Sequence, residues 1–231
     1  MKQLRNPSGY DPGVTLQTSG RVGHKPGPKP RLSREAIVDT AVELGVEHLS
    51  IAAVAASLGV AQGSLYRYVA GLDDLARSAV EQVFARTPLP PIDAGWRAFL
   101  EAEAHIRWDL LRRYSGLVRE RGADLTAIAI ARFEAIVRSL TAAGFTLSDA
   151  VHLVDTVIDL VHDGVTQMLS FQAGDGTVTP AALASLHAYS PDIRAEVETV
   201  MRDPWPHVAD KIALVLDGVE TRTRHRDTRA V

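Results

Sequence analysis

The side chains of this 231-residue chain best equipped to read a partner stand within seven positions of one another: Gln62, Ser64, Tyr66, Arg67 and Tyr68, inside the stretch VAASLGVAQGSLYRYVA from Val54 to Ala70. An amide places a donor beside an acceptor and can pair bidentately with the edge of adenine, while a serine hydroxyl can donate or accept. A guanidinium can take a guanine or a phosphate, and phenol hydroxyls can hold phosphates without specifying sequence. Together this is the chemistry of duplex DNA recognition. Other roles stay open: Ser64 suits a helix surface equally well, and either tyrosine can pack inward instead.

The residues just before this group supply the frame. Ala55 is small where one helix must approach another, Gly59 gives the turn, Val60 points inward and Leu65 anchors the next helix, which is the skeleton of a helix-turn-helix. Ser33 reads as the N-cap of a first helix, in which Ile37, Ala41 and Leu44 repeat at helical spacing to about Glu47. Ser50 caps a second helix, Ile51 to Leu58, and a third is expected from Gln62 to about Tyr68. Gly71 breaks the chain before a fourth helix marked by Leu72, Leu75, Ala79 and Val83, which the Pro-Leu-Pro-Pro cluster at 88–91 ends.

Charge is distributed in blocks. The whole chain carries −3, yet residues 1–34 carry +6, residues 35–220 carry −12, and the last eleven residues return +3. DNA repels an acidic body, so contact with it is expected at the N-terminal end. Residues 1–32 are rich in Gly, Pro, Ser and Thr and read as an arm; its last part, RVGHKPGPKPR, is a stiff cationic strip suited to a minor groove or simply to solvent.

Beyond the prolines every pattern is helical. Trp96, Leu100, Ala104, Trp108 and Leu111 define a long helix, followed by an expected turn at Gly116. Leu125 to Thr141 is apolar nearly all round, as in a helix surrounded by others, and Gly144 stops it. Thr146 to Asp149 resemble a capping box. Val151, Val154, Ile158, Val161, Val165 and Met168 then form a heptad seam, and Val208, Ile212, Val215 and Val219 form a second. If two such helices from each of two subunits meet, they make a four-helix bundle, so a homodimer is expected with Val151, Val154, Ile158, Val161, Val165, Val208, Ile212, Val215 and Val219 at its interface. The alternative is that both seams pack within one subunit. Glycines and prolines break the stretch from Gln172 to Pro206 into a loop with short helices.

The fold class is therefore all-α, with four parts: an arm at 1–32, a helix-turn-helix domain at 33–87, a helical body at 92–221 and a basic tail at 222–231. With no cysteine, disulfides and cysteine-ligated zinc are excluded. The charged, proline-rich start and the shortness of the longest apolar run lead us to expect a cytoplasmic protein without membrane contact.

On Leu32 to Val80, where LSREAIVDTAVEL and SLGVAQGSLYRYV stand, the chain resembles the TetR family of one-component transcriptional regulators. The body resembles the tetracycline-repressor type of C-terminal domain more loosely, through Trp96-Arg97, LTAAGFTLSDA and LVLDGVE. The resemblance implies a repressor that binds a palindromic operator as a dimer and releases it when a small-molecule effector fills the body. It maps DNA contact onto Ser50, Ala61, Gln62, Ser64, Tyr66, Arg67 and Tyr68. The chain departs from the family where many members carry basic residues: here stand Ala52, Ala53 and Leu72, then Asp73 and Asp74. Phosphate neutralisation by the globular domain is thin, so Lys25, Lys29, Arg31 and Arg34 are expected to supply much of the affinity.

For an effector, bulky apolar walls with a few polar groups are needed. His105, Trp108, Phe133 and Met168 are candidates, each equally at home in an ordinary core, and if any acid of the body is buried, Asp159 is the one chosen to meet a cationic ligand. Asp159 and His162 lie three apart on one helix face and could hold a divalent cation, although a solvated face or a contact across the dimer axis is the simpler reading, and no metal or cofactor is assigned. An enzyme built on the body's His and Asp residues is the contrasting hypothesis, but the chain has no Gly-rich phosphate loop, nucleophile elbow, HExxH or cysteine. A ligand-independent DNA-binding protein would not need so large an acidic body.

Overall fold

A computed structural model describes residues 32–45, 48–121 and 123–227, with side chains placed at 32–45, 48–114 and 123–222. Lys25, Lys29 and Arg31 lie outside the described residues. Ten α-helices occur among those described, and the only β pairing there is an isolated bridge between Gln172 and Val178. No helix among them is long and apolar enough to cross a membrane.

The helix-turn-helix region is built from α1 (Arg34–Leu44), α2 (Ile51–Leu58), α3 (Gln62–Leu65) and α4 (Leu72–Arg86). The expected caps form: the Ser33 Oγ accepts from the Ala36 N–H at 3.2 Å and the Ser50 Oγ from the Ala53 N–H at 3.1 Å. The turn after α2 depends on Gly59, which sits in the left-handed region at φ 65°, ψ 34°. Its N–H bonds to the Ala56 carbonyl and that of Val60 to the Ala55 carbonyl, a Schellman arrangement that ends the helix and re-aims the chain into α3. Ala55, Leu65 and Val54 are buried beneath this turn, as are Ile37 and Ala41 of α1 and Leu75 and Ala79 of α4. One expectation is corrected: α3 is a single turn ending at Leu65, and Tyr66 to Tyr68 continue as turns.

The body comprises α5 (Trp96–Arg121), α6 (Thr126–Ala142), α7 (Leu147–Phe171), α8 (Pro180–Ser185), α9 (Pro191–Arg202) and α10 (Pro204–Asp227). The expected turn at Gly116 does not occur, because α5 continues through it. Nor is α6 surrounded: Ile136, Val137 and Leu140 are buried, whereas Ile130 faces outward, since only the C-terminal half of the helix lies on the core. The Thr146 cap forms as expected, its Oγ1 accepting from the Asp149 N–H at 3.1 Å and donating to the Asp149 carboxylate at 2.8 Å.

The two heptad seams do meet, but within one chain, where α7 packs against α10, α5 and α6. Val154, Val161, Val165, Val208 and Ile212 are each at most 4% exposed in a core shared with Phe99, Leu100 and Trp108. These five have no surface left to offer a second copy, which corrects their placement at a dimer interface. A heptad stripe specifies that a face is covered, not which helix covers it. Val151, Ile158, Val215 and Val219 keep accessible surface. The closest approach comes at Gly164, where an added Cβ would stand 2.5 Å from Val208 Cγ2 and 3.1 Å from the Trp108 ring, so only glycine lets α7, α10 and α5 meet there.

The proline cluster interrupts the chain but not the packing. Helix α4 contacts α5 and α6 as well as α1, so it joins the helix-turn-helix to the body.

Candidate nucleic-acid interface and body cavity

The polar groups of the recognition segment are carried on an outward face. Ala61, Gln62, Tyr66 and Arg67 are exposed, Ser64 and Tyr68 half-buried, and Leu65 beneath them wholly buried. Tyr66 is 56% exposed, so its ring is not part of the core. Arg67 makes no hydrogen bond or ion pair among the described residues. The Ser50 Oγ is occupied as the α2 cap, which leaves its hydroxyl hydrogen for an outside acceptor.

Arg34 proves to be a structural residue. Its guanidinium donates to the Tyr68 carbonyl at 2.7 Å, to both oxygens of Asp74 at 3.0 and 2.9 Å, and to the Ser78 hydroxyl at 2.8 Å. With four of its five N–H donors engaged, it ties the start of α1 to the end of the recognition segment and to α4, a structural role in place of the free arm cation expected. Asp74 also accepts from the Ala70 N–H and from Arg77, each at 2.9 Å. Asp74, noted in the sequence only as a departure from the family's basic positions, organises the segment that carries Tyr66 to Tyr68. It pairs with Arg77 as well, so that of the described cations near this segment Arg67 is the one with no such contact.

The Arg34 guanidinium beside it, helped by the Ala70 N–H and Arg77, holds the Asp74 carboxyl well below the usual carboxylate range. Since folding favours the ionised form, its stabilisation is complete above the unfolded value of about 3.9 and is lost as pH falls from there towards the folded value. Asp74→Asn is expected to lower stability by about 1.5–3 kcal/mol at pH 7, the worth of hydrogen bonds to a charged group, and to flatten the acid limb. Urea midpoints measured from pH 7 to pH 2 check this; parallel acid limbs in the two proteins would contradict it.

Among the described residues of the body, the buried acid is Glu103 of α5, only 2% exposed, whereas Asp159 faces outward from α7. Arg132 of α6 clamps Glu103 in a bidentate pair at 2.8 and 2.6 Å and donates further to the carbonyls of Thr87 at 2.7 Å and Pro88 at 3.3 Å, just past the end of α4. Arg107, one turn along α5, lies 3.4 Å from Glu103. Its Nε is buried with no hydrogen-bond partner, and burial pulls its guanidinium below the ordinary value, although arginine stays charged.

These arginines open onto a cavity of about 190 Å³ between α4, α5, α6 and α7, walled by Phe84, Leu110, Leu111, Leu125 and Ile128, with His162 at its side. Part of His162 meets solvent, yet burial of the rest, followed by the charge of Arg107, lowers its pKa against the opposing pull of Asp159. The expected effector residues do not gather here. His105 and Trp108 instead pack against Trp205 of α10, edge-on and tilted, with ring centroids 4.7 and 5.6 Å away. Met168 is buried in the core and Phe133 packs against it. No group of three or more His, Asp or Glu side chains poised for a metal ion occurs among the described residues, Asp159 and His162 included. A second, open groove of about 430 Å³ runs between α7 and α10, lined in part by Phe145, Leu153, Thr156, Leu214 and Val219.

Comparison with known proteins places this geometry. The chain is 30% identical over 208 residues to the tetracycline repressor protein class A from transposon 1721 of Escherichia coli, covering 84% of this chain and 91% of that repressor. It is 39% identical over 113 residues to the HTH-type transcriptional repressor DrrR1 of Streptomyces coeruleorubidus, a match that spans 46% of this chain and 42% of DrrR1. A crystal structure of a possible TetR family transcriptional regulator from Streptomyces coelicolor shares the fold, with a TM-score of 0.53 and 21% identity over 82% of this chain and 99% of that one. No family model matches the chain.

Proposed function

The chain belongs to the TetR family of transcriptional regulators, and we propose that it is a cytoplasmic repressor that binds a palindromic operator as a homodimer and releases it when a small molecule occupies the body. It is a DNA-binding regulator and not an enzyme. The observation that carries the finer reading is the outward display of Gln62, Ser64, Tyr66 and Arg67 over a buried Leu65. Residues 33–87 provide the DNA-binding part and residues 92–221 the part that dimerises and holds the effector.

The dimer is assigned to the outer faces of α7 and α10. Leu147, Val151 and Leu214 are exposed there, Leu214 to 73%, beside the groove that Val215 and Val219 help to line. Such a patch is left wet in a single chain and covered when a second copy adds its own α7 and α10. Leu214→Glu is expected to sediment as a monomer at concentrations where the parent chain is dimeric; a dimer of undiminished stability would remove this face from the proposal.

Release follows from the position of α4. Its N-terminal half holds Arg34 and, through Asp74, the recognition segment, while Phe84 at its other end lines the cavity and the Arg132 clamp grips the carbonyls that follow. A ligand that displaces Phe84 or Arg132 therefore moves the helix on which the recognition segment is fastened. A relative named for tetracycline supports a small-molecule effector.

Because Arg34 and Arg77 are engaged internally, most phosphate neutralisation falls to Lys25, Lys29 and Arg31. Deleting residues 1–30 is expected to reduce the slope of log affinity against log salt by roughly 0.9 for every phosphate that the arm neutralises. An unchanged slope in an operator titration across roughly 50 to 200 mM salt would take the arm out of the account.

A further inference from the structure

The α4–α7 cavity has an unbalanced charge. Glu103 is neutralised by Arg132 through two short hydrogen bonds, and only a long 3.4 Å contact remains for Arg107. Two guanidinium groups thus share one carboxylate, and the second is buried with its Nε–H unmet. Buried donors without partners are rare in folded proteins and call for an explanation such as an occupant. Elsewhere the cavity wall is aliphatic and aromatic, from Phe84, Leu110, Leu125 and Ile128. A carboxylate is the group a guanidinium binds best, because its two oxygens meet the planar fork.

Size narrows the ligand further. About 190 Å³ lies below the roughly 300–1,000 Å³ of sites for drug-sized ligands and slightly above the roughly 150 Å³ that accommodates benzene. The occupant has room for about one ring and one small polar group. Resting on the reading of the body as an effector domain, we infer that this cavity takes a small monocarboxylate with a compact apolar body, its carboxylate on Arg107 and its body against Phe84, Leu110 and Ile128. His162, which lines the same cavity, supplies a second polar contact.

Benzoate, benzamide and benzylamine share a ring and differ in charge, so they test the assignment by calorimetry on the full chain and by anisotropy on its complex with operator duplex. Benzoate is expected to bind at least tenfold more tightly than the other two. Arg107→Met should abolish that advantage without unfolding the protein, since it removes a buried charge whose hydrogen bonds are incompletely made. Ile128→Trp, which fills the cavity and leaves every charged group in place, should lose benzoate, and it decides the matter should Arg107→Met fail to fold. Equal binding of the three compounds, no binding by any of them, or undiminished benzoate binding by either folded variant overturns the inference. Release of operator by benzamide but not benzoate would overturn the carboxylate class and leave the effector reading standing. Benzoate binding that depends on Arg107 but leaves the operator complex intact would support the site and refute its link to release.

Discussion

Replacing Glu103 by alanine is expected to destabilise the folded chain by about 3–5 kcal/mol, the range seen when one partner of a buried ion pair is removed. The cause is less the missing attraction than what remains. Arg132 and Arg107 would stay desolvated and adjacent, with no anion between them, in a region where the carboxylate is 3% exposed and each guanidinium 13%. Glu103→Gln keeps an acceptor and should cost less. Glu103→Ala combined with Arg132→Met should recover the part of the loss due to Arg132, because only Arg107 then stays buried without its anion. Urea unfolding at fixed protomer concentration measures all three, concentration being held constant because a dimer's stability depends on it. A single Glu103→Ala variant as stable as the parent would mean that this cluster does not hold the body together.

The second large effect belongs to Gln62. A bidentate amide contact to adenine contributes about 1–3 kcal/mol of discrimination, and one substitution removes it from both subunits of a symmetric dimer. Gln62→Ala should therefore weaken operator binding by about 2–6 kcal/mol and relax preference at the one base pair it reads in each half-site, leaving other positions and the salt slope unchanged. Because Gln62 is exposed on a one-turn helix, melting temperature and dimerisation should be unaffected. Anisotropy against duplexes varied one base pair at a time reads this directly. A uniform loss over all sequences would instead make Gln62 a phosphate contact.

What the sequence revealed and what it concealed follow from the range of the interactions concerned. The caps at Ser33, Ser50 and Thr146 and the left-handed turn at Gly59 are settled within a few residues, and they form where they were expected. The stripes on α7 and α10 were legible as buried faces, but their partner was not. Val154 and Ile212 cover each other's neighbourhood within the subunit, whereas Leu214, one position off the expected stripe, is the exposed residue. Glu103 lies among the alternating charges of EAEAHIRWDLL, where the helical stripe of Trp96, Leu100, Ala104 and Trp108 does not include it. A signal was nevertheless present: Glu103 and Arg107 are four apart and follow Phe99 at the same spacing, so they extend an apolar stripe and not the polar one. Arg34 misled in the opposite sense, because a cation at the end of a basic strip looks like part of it until Asp74, forty residues later, folds back against it. Gly164 is the remaining omission; a glycine inside a heptad pattern signals a close crossing, here with Val208 and Trp108.

The central claim is that two copies of the segment from Gln62 to Tyr68, related by two-fold symmetry, enter the major groove of duplex DNA. Selection of bound sequences from a random duplex library tests it most directly. The account predicts an inverted repeat whose half-site centres lie about 34–36 Å apart or a small multiple of that distance. Recovery of no enriched sequence at low ionic strength, or of a single non-repeated site bound by a monomer, would contradict it.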